Sequence, residues 1–340
     1  MSLKGAGKFI FVLLASVLLL EAAARMGSPL LESTIPAFYY GKYFAELIQF
    51  DEVFVWAGRP GVHAEITNPL GEKISYRINK AGWRGREFTP LSQPGNALIF
   101  GDSFAFGTGV REEARLGERL EARLRGLNVW TFAQMGYAPD QHALLGIRWL
   151  TTFPWAFLVL QLSNNDLQDV SSHEWGYVGG SGLPSTISPP ASYYFFSDWS
   201  RAWNLMMAFA VSGRLPEAAL RTGLERLLHS LEKNLSLARE LRIPVYIVQA
   251  SDWGEPVYGE KMAAEYEVLV KNLAGKHGAE LLEAGKDFRS TLLPAPDSHW
   301  DAATHDRVAE ALFRKVKEPP SFLPPKVATP RNEPTKKRKK

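Results

Sequence analysis

Five short runs of almost unbroken apolar residues punctuate the chain after residue 95: NALIFGDS (96–103), NVWTFAQ (128–134), WAFLVLQLS (155–163), IPVYIVQAS (243–251) and AELLEAG (279–285). A strand with one wet face alternates apolar and polar residues, so continuous apolarity predicts strands covered on both faces. Between the runs lie helix-period stretches. The clearest spans Pro216 to Arg242, where Leu220, Leu224, Leu227, Leu228, Leu231 and Leu235 recur at helical spacing and Pro216 stands near the start. Strand alternating with helix predicts an α/β fold, a parallel sheet sandwiched between helices.

The flanks of this pattern differ from it. Lys4 and Lys8 precede the apolar run Phe9 to Leu20, followed by Glu21, three alanines and Arg25. A positive start ahead of an apolar helix is the pattern of an export signal, so residues 1–25 are expected to form a signal peptide or, preferably, an uncleaved anchor. The expectation is one N-terminal span in the inner membrane, with the rest of the chain in the periplasm or outside the cell. Residues 26–95 form an N-terminal extension in which VHAEIT (62–67) and KISYRIN (73–79) flank the turn signal Asn68-Pro69-Leu70-Gly71, which reads as a hairpin packed on the domain after it.

Residues 96–317 hold the alternating pattern. It is interrupted by a Gly-, Ser-, Pro- and aromatic-rich insertion (170–215) placed after a strand's carboxyl end, where such segments shape binding sites. Residues 318–340 are Pro-rich and then basic, a composition that cannot bury a core. The net charge of +3 includes +5 on the last five residues, leaving −2 for everything before them. Basicity confined to a tail argues against a nucleic-acid-binding body. With no cysteine there is no disulfide, thiolate metal site or cysteine nucleophile.

Four small motifs carry chemistry. Gly101-Asp102-Ser103-Phe104 places a serine where the first core strand should end, exposed for attack if a base removes its proton and donors receive the developing charge. Asp297-Ser298-His299 supplies a base with a carboxylate close enough to fix its tautomer. Asn165, after the third strand, offers amide hydrogens to an oxyanion without bringing charge. Gly136, after the second strand, lets a backbone N–H approach the same point. Each alone also fits a turn or helix cap. Asp102 is expected to fix its own loop through backbone N–H groups, Asp166 to cap the turn after it, and His305 to be a solvated or cap-region residue. The seven histidines include no HExxH pair, and no metal or cofactor is expected.

Taken together, GDSF, Gly136, the NND of 164–166 and DSH resemble the four blocks of the SGNH (GDSL-like) hydrolases. The likeness runs from about Asn79 to Val316. INKAGWRGRE (78–87) is similar to a segment ahead of the serine in a bacterial membrane-anchored branch of that family, and FAQMGYAPDQ (132–141) to its second block. The resemblance implies a flavodoxin-like three-layer α/β/α sandwich with a five-stranded parallel sheet. It implies Ser103 as nucleophile, Asp297 and His299 completing a triad, and the N–H groups of Ser103 and Gly136 with the Asn165 amide as oxyanion hole. Four departures stand out. Phe104 replaces the leucine of GDSL, Thr131 stands where the second block often begins with Asn, Ser163-Asn164 replaces a glycine-bearing pair, and acid and base are one residue apart instead of two, as in related polysaccharide O-acetyltransferases.

The implied activity is cleavage of an acyl ester, O-acetyl first, on a cell-envelope glycan or lipid. Two alternatives stand beside it: an O-acetyltransferase using the same triad, and a non-catalytic protein that binds envelope glycan through the aromatic insertion.

Overall fold

The computed structural model describes residues 3–34, 43, 46–92, 95–172, 217–250 and 259–316. In chain order the elements are α1 (Leu3–Thr34), β1 (Ile48–Asp51), β2 (Val55–Gly58), β3 (His63–Thr67), β4 (Lys73–Arg77), β5 (Asn96–Gly101), α2 (Ser103–Phe106) and α3 (Leu116–Arg123). They continue as β6 (Asn128–Ala133), α4 (Pro139–Trp149), β7 (Trp155–Ser163), α5 (Asp166–Ser172), α6 (Glu217–Glu240), β8 (Val245–Ala250), α7 (Glu260–His277), β9 (Glu280–Glu283) and α8 (Ala302–Val316). The five apolar runs are the five strands of one sheet, ordered β6-β5-β7-β8-β9 and parallel throughout.

Every residue of β5 and β8 is buried, because helices cover both faces. Ala97 and Ile99 point into one layer with Leu116 and Leu120 of α3 and Val308 and Leu312 of α8. Leu98 and Phe100 point into the other, with Leu145 of α4, Leu227 and Leu231 of α6, and Tyr266 and Val270 of α7. That is the expected three-layer sandwich. Its strand order reverses direction between β5 and β7. In sheets of this kind the crevice at the carboxyl ends of the two strands flanking such a reversal is where ligands bind, and Ser103 and Asn165 follow those two strands.

The expected hairpin forms as β3 and β4, antiparallel, with Ile66↔Ile74 and Ala64↔Tyr76 among its cross-strand pairs. Ile66, Ile74 and Tyr76 bury one face against Phe104 and Phe106, beside the serine. A second antiparallel hairpin, β1 with β2, carries no periodic signal in its four-residue strands and was not anticipated. It is held by side-chain bonds: Trp56 Nε1 donates to Met135 O at 2.9 Å, Tyr137 Oη to Trp56 O at 2.8 Å, and Gln141 Nε2 to Phe54 O at 2.8 Å.

Helix α1 runs on to Thr34, nine residues past the expected end at Arg25. Val12, Leu13, Leu14, Val17, Leu18, Leu19 and Leu20 are all exposed on it. Among the described residues, no helix is long and apolar enough to cross a membrane, so the expected membrane span is not found there. The insertion lies outside the described residues beyond Ser172, as does the basic tail.

Candidate active site

The turn from β5 into α2 is fixed from two sides. Asp102 caps α2, its Oδ1 accepting from Phe104 N at 2.7 Å, as the sequence suggested. Gln161 Oε1, from β7, accepts from Asp102 N at 3.0 Å and Ala105 N at 3.2 Å. These bonds leave Ser103 at the first position of α2, 5% exposed, with its hydroxyl directed to His299. Ser103 Oγ and His299 Nε2 are 2.7 Å apart, and His299 Nδ1 is 2.7 Å from Asp297 Oδ1, which also accepts from His299 N at 3.1 Å. Residues 103 and 299 are thus brought together from opposite ends of the sandwich domain.

The one-residue spacing works because Ser298 adopts φ +72°. This left-handed turn folds the His299 ring back over the carboxylate of Asp297. The segment is tied down by Leu293 N donating to His299 O at 2.7 Å and Asp301 N to Thr291 O at 3.1 Å. Asp297 is fully buried, so a carboxylate there would act on an imidazolium with little screening by water. The arrangement can therefore take a proton from Ser103 during attack and hold it on the ring.

Phe104, the departure from GDSL, packs its ring 4.9 Å from His299 and 5.1 Å from Trp300, forming a floor under the imidazole. Phe104→Leu keeps an apolar side chain but loses these ring contacts. It is expected to cost about 1 kcal/mol and about 3 °C in Tm, read by thermal melting, with the hydrogen-bond chain retained.

Gly136 lies at φ +71° after β6, a conformation that disfavours any other residue. Among the described residues, neither Ser103 N nor Gly136 N donates to a protein group, so both hydrogens remain for a ligand. Asn165 lies half-buried after β7. Its Nδ2 donates one hydrogen to Asp169 Oδ2 at 2.7 Å, and an amide carries two. Asp166 does not cap the turn after it but reaches back, its Oδ2 accepting from Ser163 N at 2.9 Å.

The residue that sequence reasoning missed is Arg84. Asn79 shapes the loop that presents it, Oδ1 accepting from Ala81 N at 2.9 Å and Trp83 N at 3.0 Å while Nδ2 donates to Arg86 O at 2.7 Å. The Arg84 guanidinium is 3% exposed and lies 4.1 Å over the Tyr76 ring. It donates to Phe106 O at 3.0 Å, Gly107 O at 2.5 Å and Val110 O at 2.8 Å. Burial lowers its pKa to about 10, still charged at neutral pH.

The clamped loop continues to Gly109, whose N donates to Tyr76 Oη at 2.9 Å and whose O accepts from Asn68 Nδ2 at 2.9 Å. A Cβ at Gly109 would sit 2.7 Å from Asp297 Oδ2, so this loop forms the wall against which the carboxylate rests. The N-terminal extension is therefore a structural part of the site. The signal available in the sequence was the Asn79-Gly82-Arg84 spacing inside INKAGWRGRE, but nothing in it says what the arginine meets.

His305 is not solvated. It is fully buried on the inward stripe of α8 with Val308, Ala309 and Leu312, a helical periodicity that could have placed it there. Among the described residues, neither ring nitrogen has a hydrogen-bond partner, and burial, followed by the Arg115 and Arg84 charges, lowers its pKa from 6.5 to about 3. The unfolded chain therefore binds a proton below about pH 6.5 that the folded chain refuses, so this residue removes stability as pH falls from there towards 3. Relative to wild type, His305→Gln should gain about 1.4 kcal/mol per pH unit in that window. Parallel stability curves in chemical denaturation between pH 7 and 5 would refute this.

Among the described residues, no three His, Asp or Glu side chains are grouped to hold a metal ion. No family model matches the chain, and no curated protein matches it. Among solved structures it is similar to TesA, at 16% identity and a TM-score of 0.43 over 65% of this chain and 98% of that one. It is similar to a putative arylesterase from Agrobacterium tumefaciens, at 21% identity and a TM-score of 0.40 over 66% and 99%. A carbohydrate acetylesterase family member from Sinorhizobium meliloti gives 16% identity and a TM-score of 0.43 over 66% and 97%. At such identities and scores, the chemistry has to be read from this chain's own side chains.

Proposed function

We propose that this protein is an exported serine esterase of the SGNH type that removes a short acyl group, O-acetyl first, from an envelope glycan or lipid. The observation that carries the reading is the continuous hydrogen-bond chain from Asp297 through His299 to Ser103, beside N–H groups of Ser103 and Gly136 that have no protein partner among the described residues. Ser103 Oγ attacks the ester carbonyl while His299 takes its proton and Asp297 stabilises the imidazolium. The oxyanion is received by the N–H groups of Ser103 and Gly136 and the second amide hydrogen of Asn165. Collapse expels the alcohol, which takes the proton back from His299. Water, deprotonated by the same imidazole, then attacks the acyl enzyme, releasing the carboxylic acid and restoring Ser103.

Export and tethering are supported by Lys4 and Lys8 ahead of an apolar run within α1, and by the exposure of Val12, Leu13, Leu14, Val17, Leu18, Leu19 and Leu20 in that run. Such a surface is stable against lipid. Deleting residues 1–25 is expected to move the protein from the membrane to the soluble fraction of the compartment where it is made, read by fractionation.

The reaction is tested by acetate release from O-acetylated sugars. Asn165→Ala should fold normally and lose about 100- to 1000-fold in kcat through loss of one oxyanion donor. An unchanged rate would remove Asn165 from the mechanism. The one-residue spacing of Asp297 and His299 favours a second reading, acyl transfer to a sugar hydroxyl. More acyl passed to added glycan than to water would assign it.

A further inference from the structure

The Ser163 hydroxyl, in the pair that replaces the glycine-bearing pair of the SGNH pattern, is crowded by acceptors. Its Oγ is 2.5 Å from Asp102 Oδ2 and 2.5 Å from Asn165 Oδ1, with Asp166 Oδ1 at 3.5 Å. A hydroxyl carries one hydrogen. The Asn165 amide cannot be turned to supply another, because Nδ2 donates to Asp169 Oδ2 at 2.7 Å and the reversed amide would set two oxygens against each other there. If Ser163 donates to Asp102, its contact with Asn165 Oδ1 is lone pair on lone pair. If it donates to Asn165, the contact with Asp102 is a bond only when that carboxyl carries its own hydrogen. One arrangement makes both contacts bonds.

We propose that Asp102 is a neutral carboxylic acid whose O–H donates to Ser163 Oγ, and that Ser163, donating onward to Asn165 Oδ1, is a positioning residue that holds the oxyanion amide in place. The relay joins the residue before the nucleophile to the third oxyanion donor through one hydroxyl. Its surroundings suit a neutral acid. Asp102 is fully buried, and its other oxygen already accepts from Phe104 N at 2.7 Å. The titratable groups facing it are Asp166 from α5 and His299 from the segment before α8, while Asp169 and Tyr266 act on Asp166. Burial raises the Asp102 carboxyl above the ordinary range. Burial raises that of Asp166 as well, and a charge on either would oppose a charge on the other, so the pair cannot readily ionise together. The short contacts put the proton on Asp102, because the only oxygen of Asp166 near Ser163 Oγ is 3.5 Å away.

The functional half of the inference rests on the esterase reading. As pH rises and Asp102 ionises, Ser163 turns its hydrogen to the carboxylate, Asn165 loses its anchor, and kcat falls with KM little changed. Asp102→Asn imitates the neutral acid, its amide donating to Ser163 Oγ and its oxygen accepting from Phe104 N. The variant should therefore restore most of the rate that Asp102→Ala loses and abolish the alkaline decline. Ser163→Ala should lower kcat about 10-fold, with Ser163→Thr restoring it; a tenfold loss corresponds to about 1.4 kcal/mol.

The proton itself is read without substrate, by carbon NMR of the full-length protein labelled with [γ-13C]aspartate. The expected result is one carboxyl signal at the neutral-acid position at pH 7, missing from folded Asp102→Asn. Carboxylate signals alone, or a neutral signal lost in Asp166→Asn but not in Asp102→Asn, would overturn the inference whether or not the protein cleaves esters. Absence of ester cleavage by wild type with the neutral signal present would overturn the esterase reading and leave the proton on Asp102. In an active enzyme, an Asp102→Asn variant as slow as Asp102→Ala, or one that keeps the alkaline decline, would overturn the relay.

Discussion

Ser103→Ala is expected to lower ester turnover by about a millionfold, and His299→Ala by a similar factor, while the double variant loses little more than either alone. The reason lies in the geometry. The hydroxyl of residue 103 and the imidazole of residue 299 are 2.7 Å apart and act as one unit, the ring having no proton to take without the hydroxyl and the hydroxyl no base without the ring. Both side chains are almost completely buried, so bulk water does not stand in for either. Ser103→Ala removes one oxygen from a position fixed by backbone bonds to Asp102 and Gln161, so folding should be unchanged. Steady-state kinetics of the two single variants and the double variant check this. Multiplicative losses would show that the two residues act independently.

Arg84→Met is expected to lower stability by about 3–5 kcal/mol, and Tm by about 10 °C, despite keeping an unbranched apolar stem. The loss comes from the acceptors left behind. Phe106 O, Gly107 O and Val110 O lie in a buried loop and all accept from this one guanidinium, with Gly107 O also accepting from Val110 N at 3.3 Å. A carbonyl stripped of its donor away from water costs about 1–3 kcal/mol. Because the same loop is the wall against Asp297, activity measured well below the new Tm should fall as well. Arg84→Lys, with one ammonium for three carbonyls, should lie between wild type and Arg84→Met. Thermal melts paired with kinetics at low temperature check both parts. A stability loss without any loss of rate would confine Arg84 to the fold.

The sheet was legible because its strands are buried on both faces, which writes them as solid apolar blocks, and because α6 repeats leucine at helical spacing. The hairpin β3–β4 was legible from the Asn68–Gly71 turn. Hairpin β1–β2 was not, since its strands are short and its stability comes from Trp56, Gln141 and Tyr137 bonding backbone far away in sequence. Site residues 103, 297 and 299 could be named because acid and base are separated by a single residue and the serine follows a strand. Asn165 and Gly136 were placed by the same strand-end logic. Arg84 and Ser163 were hidden for a common reason. The carbonyls Arg84 bonds lie 22 to 26 residues away, Asp102 lies 61 residues from Ser163, and the count of hydrogens around a hydroxyl exists only once the chain is folded. His305 was misread because a histidine beside an aspartate at a helix start looks solvated, whereas the stripe shared with Val308 and Leu312 turns it inward.

The most direct measurement is mass spectrometry of the intact, folded protein after exposure to a fluorophosphonate, which phosphonylates a hydroxyl only when a base activates it. The expected result is a single adduct, mapped by peptide digestion to Ser103, absent from Ser103→Ala and formed about a thousandfold more slowly in His299→Ala. A folded protein that takes up no adduct, or one labelled at the same rate without His299, would contradict it.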